Sequence, residues 1–135
     1  MKITRFIFST LVVFLLVGCT RNDGDIGRLF GQWKLISITR NGADDTSYSG
    51  NIYWSFQNTT VEMKEVVAHN TVYQTFGNWY ETDNTLFVSF PDKDYPPRPT
   101  VGLPREAELQ IVKLAGSDLI LSYGEPATIY TFRKW

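Results

Sequence analysis

The residue types that do chemistry are scarce in this chain. There is one histidine, His69, and one cysteine, Cys19, in 135 residues. His69 sits beside Asn70 in a predicted two-residue turn, and no second His or Cys is present to complete a metal-ligand set. A Ser-His-Asp arrangement would need a nucleophile on a strand-to-helix elbow, and no G-x-S-x-G occurs. Asp44-Asp45 and Asp92-Lys93-Asp94 fall in polar segments. A calcium site needs about six to eight oxygen ligands, so these pairs read as solvated charge. No glycine-rich phosphate loop is present. We therefore expect no catalytic residue, no metal and no cofactor, and a protein that is not an enzyme. Glu65 is the one carboxylate of interest. By strict alternation it shares a face with Val61, Met63 and Val67. Either it is a buried carboxylate that holds the polar group of a ligand, or a bulge or strand end turns it to water.

Cys19 carries a different chemistry. It follows Leu16-Val17-Gly18, with Lys2 and Arg5 near the start and an apolar run from Phe6 to Val17. A membrane-spanning helix needs about 20 apolar residues. This shorter run fits the apolar core of a secretory signal instead. Leu-Val-Gly-Cys resembles the lipobox of bacterial lipoproteins. The resemblance implies that residues 1–18 are removed and that Cys19 is lipidated and becomes the mature N-terminus. The chain would then be anchored to a membrane without spanning it. Thr20, not Asp, follows the cysteine, which resembles the outer-membrane class of lipoproteins. Arg21-Asn22-Asp23-Gly24-Asp25 loosely resembles signals for export to the cell surface. Periplasmic face and cell surface both stay open, and residues 19–30 read as a lipidated N-terminus and flexible tether.

Removal of Met1–Gly18 takes away Lys2 and Arg5 and leaves eleven basic and fourteen acidic side chains, a net charge of −3. The remaining length makes one domain. No run of Lys or Arg suggests nucleic-acid binding. With Cys19 lipidated no disulfide can form within the chain, so the fold rests on its core alone. Trp33, Trp54, Trp79 and Trp135 join seven Tyr and six Phe of the mature chain. That content favours strands and supplies large buried area.

Strands are expected almost throughout. Gly31–Thr39 is the first, followed by the polar loop Arg40–Gly50. Asn51–Gln57 alternates, with Ile52, Trp54 and Phe56 on one face. Thr60–Ala68, Thr71–Tyr80 and Thr85–Phe90 follow across short turns, with Gly77 marking a bend or bulge. Pro91–Pro104 is rich in proline and has no regular structure. Glu106–Leu114, Asp118–Tyr123 and Ala127–Lys134 complete eight strands. Short loops imply antiparallel neighbours. Eight such strands suit closure into an all-β, up-and-down barrel, which removes free edges.

Gly31-Gln32-Trp33 at the start of the first strand resembles the G-x-W signature of lipocalins and related calycins. The wider pattern G-x-W-K-L, G-N-W-Y-x-x-D-N-T-L, I-V-K-L-x-x-S-D-L-I-L and Y-x-F-R resembles lipocalin-like lipoproteins of gut Gram-negative anaerobes, and covers 31–135. The resemblance implies that Trp33 plugs the closed end of an eight-stranded barrel. It also implies that Arg133, near the end of the last strand, packs over that indole.

Two functions follow as expectations. In the first, the barrel takes a small apolar or amphipathic ligand, with Trp54, Phe56, Glu65, Phe76, Trp79, Tyr130 and Phe132 as candidate wall residues. In the second, the barrel is filled and its loops dock an envelope protein or glycan. The proline-rich loop, with Tyr95 and Arg98, is either a lid, a docking surface or a packed connector. The chain is expected to act as a monomer.

Overall fold

The computed structural model describes residues 27–91 and 98–135. All eight expected strands form: β1 (Gly31–Arg40), β3 (Ile52–Gln57), β4 (Thr60–Val67), β5 (Thr71–Thr82), β6 (Thr85–Ser89), β7 (Glu106–Ala115), β8 (Asp118–Tyr123) and β9 (Thr128–Lys134). A two-residue strand, β2 (Ala43–Asp44), lies inside the first loop and pairs with the end of β1. Each of the eight pairs antiparallel with the next, and β9 returns to β1. The result is a closed, eight-stranded antiparallel barrel without a free edge among these strands.

Alternation decides what each strand buries. Ile52, Trp54 and Phe56 of β3 face the interior, as do Val61 and Met63 of β4 and Leu119 and Leu121 of β8. Two bulges interrupt the pattern. One falls between Leu35 and Ser37 of β1, the other between Ile111 and Lys113 of β7. Each leaves an extra apolar residue, Ile36 or Val112, on the surface while the flanking strand keeps its phase.

Gly77 marks a turn in the wall. β5 pairs with β4 through Thr71–Asn78 and with β6 through Asn78–Thr82. A Cβ at Gly77 would lie 2.4 Å from the Ser89 carbonyl and 2.7 Å from the Phe90 ring. Only glycine lets the two backbones and that ring approach so closely. Several tight turns are built on Asn or Asp in the left-handed region, namely Asn58, Asp83-Asn84 and Asn70.

The two ends differ. At one lie the turns at 58–59, 83–84 and 116–117, and residues 27–30 join this end through the bond of Arg28 to Asn84. The composition of 27–30 predicts a continuation of the tether; the structure makes these residues part of the barrel. Leu29 is fully buried in the core, and Arg28 pairs with Glu81 and bonds to Asn84. One apolar side chain at the right place outweighs the polar composition around it. Cys19 lies outside the described residues.

At the other end, the loop after β1 and residues 98–105 lie over the mouth. Tyr48 donates from its hydroxyl to the Leu35 carbonyl (2.5 Å) and accepts from the Ile52 N–H (3.1 Å). Residues 98–105 plug the opening: Thr100 and Leu103 are buried, and the Phe90 N–H donates to the Arg105 carbonyl. Val101 sits at φ 48°. That conformation is uncommon for a β-branched residue. The Val101 carbonyl accepts from both the Arg40 guanidinium (3.3 Å) and the Tyr130 hydroxyl (3.4 Å). Those two bonds hold it there.

Candidate functional site

The closed end is a lock built on Trp33. Its indole N–H donates to the Leu29 carbonyl at 2.9 Å. A cation does stand over the ring, but it is Lys134, with Nζ 4.6 Å from the centroid, rather than Arg133. The reason is the period of two. Phe132 faces the core, so Arg133 faces out, in register with Lys34 and Asp118, and Lys134 returns inward opposite Trp33. The Lys134 ammonium also donates to the Phe30 carbonyl. Burial pulls its pKa below the usual lysine value. Gly31, at φ +113°, leaves room for that ammonium, because any Cβ there would collide with it. Glycine alone supplies both the conformation and the space.

The interior is occupied by side chains. Trp54 packs on Phe132 (4.7 Å between centroids) and on Tyr130 (5.9 Å), and Phe56 meets Trp79 edge-on at 5.2 Å. These five ligand-wall candidates all face inward, and all are more than nine-tenths buried against one another and the aliphatic core. Phe76 is corrected: it faces out and is half exposed. It stands three residues from Trp79, an odd spacing that puts the two on opposite faces of a strand.

Glu65 keeps the inward phase of Val61 and Met63, opposite Ile52 on β3 and Tyr73 on β5, and is half-buried at the rim of the mouth. It contributes to the raised pKa of Tyr48, whose main cause is burial. His69 lies in the exposed 3-10 turn Ala68–Asn70 at φ 64°. Tyr95 lies outside the described residues. Arg98 opens the 3-10 turn Arg98–Thr100.

The feature that sequence reading missed is on the outer wall. A cleft of about 590 Å3 opens over β5, β6 and β7. Register brings two outward rows together there. One is Tyr80, Phe87 and Glu108; the other is Asn78, Ser89 and Glu106. The rings of Tyr80 and Phe87 are stacked, 4.6 Å apart and 13° from parallel, and Tyr80 is 60% exposed. Trp79 lines the same cleft from the inward row, with its indole N–H buried and without a hydrogen-bond partner. Phase could have shown that Tyr80 faces out once Trp79 faces in. The partnership with Phe87 and the two glutamates needs the register of three strands.

The opposite wall has another character. Lys34 Nζ lies 4.6 Å from the Trp135 ring and 6.0 Å from Tyr53, and Lys64 Nζ lies 5.8 Å from Tyr53. These are cation–π distances. Lys34 and Lys64 both flank Tyr53 in one row across β1, β3 and β4, and Arg133 extends the row onto β9.

Comparison with known proteins agrees with this architecture. No curated protein matches the chain. Among solved structures, it is similar to a lipocalin-like protein from Bacteroides uniformis, with 22% identity and a TM-score of 0.68 over 81% of this chain and all of that one. It is also similar to an uncharacterized protein from Bacteroides eggerthii, with 17% identity and a TM-score of 0.66 over 79% of this chain and 99% of that one. A family model described as a lipocalin-like domain matches residues 14–135. With the Trp33 lock, the closed eight-stranded ring and a match over most of its length, the chain belongs to the lipocalin-like family.

Proposed function

We propose that this chain is a lipid-anchored binding protein of the bacterial cell envelope, held at the outer membrane through Cys19, that takes its partner on the outer wall of the barrel and carries out no catalysis. The observation that carries the reading is the contrast between inside and outside. The interior is filled by Trp54, Phe56, Trp79, Tyr130 and Phe132. The wall over β5–β7 bears a cleft of about 590 Å3. That volume is within the range usual for binding sites. The Leu-Val-Gly-Cys stretch and its apolar lead-in support the anchor.

Native mass spectrometry of the mature protein, isolated from its own envelope, tests the binding reading. A species should co-purify with the natural chain and be lost with Tyr80→Ala. Retention of that species by Tyr80→Ala, with loss instead on enlarging Val61 in the interior, would place binding inside the barrel and defeat the reading. Labelling with a palmitate analogue tests the anchor, since Cys19→Ser should abolish incorporation. Label that survives this substitution would defeat it.

A further inference from the structure

We propose that the outer cleft recognises a glycan that bears hydroxyls, with or without amino groups, and carries no acid groups. The inference rests on the reading that binding occurs at this cleft. Its chemistry comes from the two rows described above. Neighbouring strands are about 4.8 Å apart and alternate residues about 7 Å apart, so the six side chains cover a patch about 10 Å by about 7 Å. That is the scale of one or two sugar rings. Tyr80 and Phe87 brace each other, and the exposed Tyr80 leaves aromatic surface for the apolar C–H face of a sugar.

The polar members complete the match. Glu106 and Glu108 are acceptors only when ionised, and so suit hydroxyl or ammonium donors. Asn78 both donates and accepts, and so do the hydroxyls of Ser89 and Thr59. No cation lines the cleft, and neither glutamate forms an ion pair among the described residues. Uronates, sulfates and phosphates would therefore meet two uncompensated carboxylates, and acidic glycans are rejected. The concave shape suits a small molecule better than a protein, whose stable interfaces are broad and bury about 800 Å2 per partner.

An oligosaccharide array tests this with the detergent-solubilised full chain. The probes are xylo- and gluco-oligosaccharides, chitosan oligosaccharides, polygalacturonate oligosaccharides and an oligolysine peptide. Binding to neutral or amino-bearing sugars is expected, with none to polygalacturonate. Glu108→Gln and Phe87→Ala should each weaken it about tenfold, as loss of a charge-assisted hydrogen bond or of stacking surface requires. Both residues face outward, so urea midpoints should stay near that of the natural chain and show that the variants fold. Polygalacturonate bound as well as neutral sugars, retention of the peptide alone, or no sugar retained would each overturn the glycan assignment. Loss of the co-purifying envelope species in Tyr80→Ala beside a silent sugar panel would leave the cleft standing and remove only the ligand class. Sugar binding indifferent to both Glu108→Gln and Phe87→Ala would remove the cleft as its site.

Discussion

Lys134 stands over the indole of Trp33, 4.6 Å from its centroid, and ties the last strand of the barrel to the residues that precede the first. One ammonium contributes a cation–π contact and a hydrogen bond to the Phe30 carbonyl. Lys134→Ala should therefore lower stability by about 1–2 kcal/mol. Arg133→Ala, on the outer face, should change it by no more than about 0.5 kcal/mol. Urea denaturation of the two variants decides between them, and a larger loss for Arg133 would return the closing role to that residue.

Trp54 is the centre of the filled interior. Trp54→Ala should cost about 3–5 kcal/mol, since removal of a fully buried aromatic leaves a void between Tyr130 and Phe132. A void of that kind is apolar and takes up small aromatic molecules. The natural chain should not raise the fluorescence of 1-aminoanthracene, whereas Trp54→Ala, if folded by circular dichroism, should. Strong uptake by the natural chain, competed by a fatty acid, would show interior space that the packing does not.

Alkaline pH should loosen the mouth. Burial pushes the Tyr48 hydroxyl up to about 12 from its ordinary 10. Between those values the unfolded chain has lost this proton and the folded chain keeps it, so stability falls as pH rises from about 10 toward 12. Tyr48→Phe should be less stable at about pH 8, because the Leu35 carbonyl and the Ile52 N–H lose their partner. Its remaining stability should decline less over that alkaline interval. Lys134 acts with the opposite sign: its pKa is lowered by burial, so its contribution improves as pH rises toward 10.5. Lys134→Met in the same titration separates the two. Parallel curves for Tyr48→Phe and the natural chain would contradict the assignment.

Gly77 should tolerate no side chain. The Cβ of Gly77→Ala would meet backbone at 2.4 Å, which no rotamer change relieves. The cost should be about 1–3 kcal/mol or more. Gly116 makes the comparison, because it has nothing within 4 Å of an added Cβ. Gly116→Ala should cost only the left-handed backbone penalty of about 1 kcal/mol. Equal thermal midpoints for the two variants would show that the wall at Gly77 has slack.

The strands are legible in the sequence because the physics that sets them is local. Alternation in Ile52–Trp54–Phe56 needs only one buried face, and Gly77 announces a bend by its own type. Errors arise where local pattern meets long-range register. Arg133 yields its place to Lys134 by one residue, and in a strand one residue exchanges inside for outside. Phe76 groups with Trp79 by chemistry although their spacing forbids a shared face. Leu29 belongs to the core because the closed end of the barrel needs it, which no neighbour in the sequence announces. The cleft joins Tyr80, Phe87 and Glu108 from three strands, and only pairing reveals that they stand in one row.

The cyclic strand order has an electrical consequence. Counting around the ring of eight, β6 lies diametrically across from β1. The cations Lys34, Lys64 and Arg133 gather on the β1 side, while the acids Glu106 and Glu108 flank β6. These two clusters of charge are thus separated across the barrel's width and not along its axis. Beside a negatively charged surface, within a screening length of about 8 Å, attraction to the three cations and repulsion of the two acids favour turning the Trp135–Tyr53 wall toward it. The aromatic cleft then faces away from it, toward whatever diffuses past.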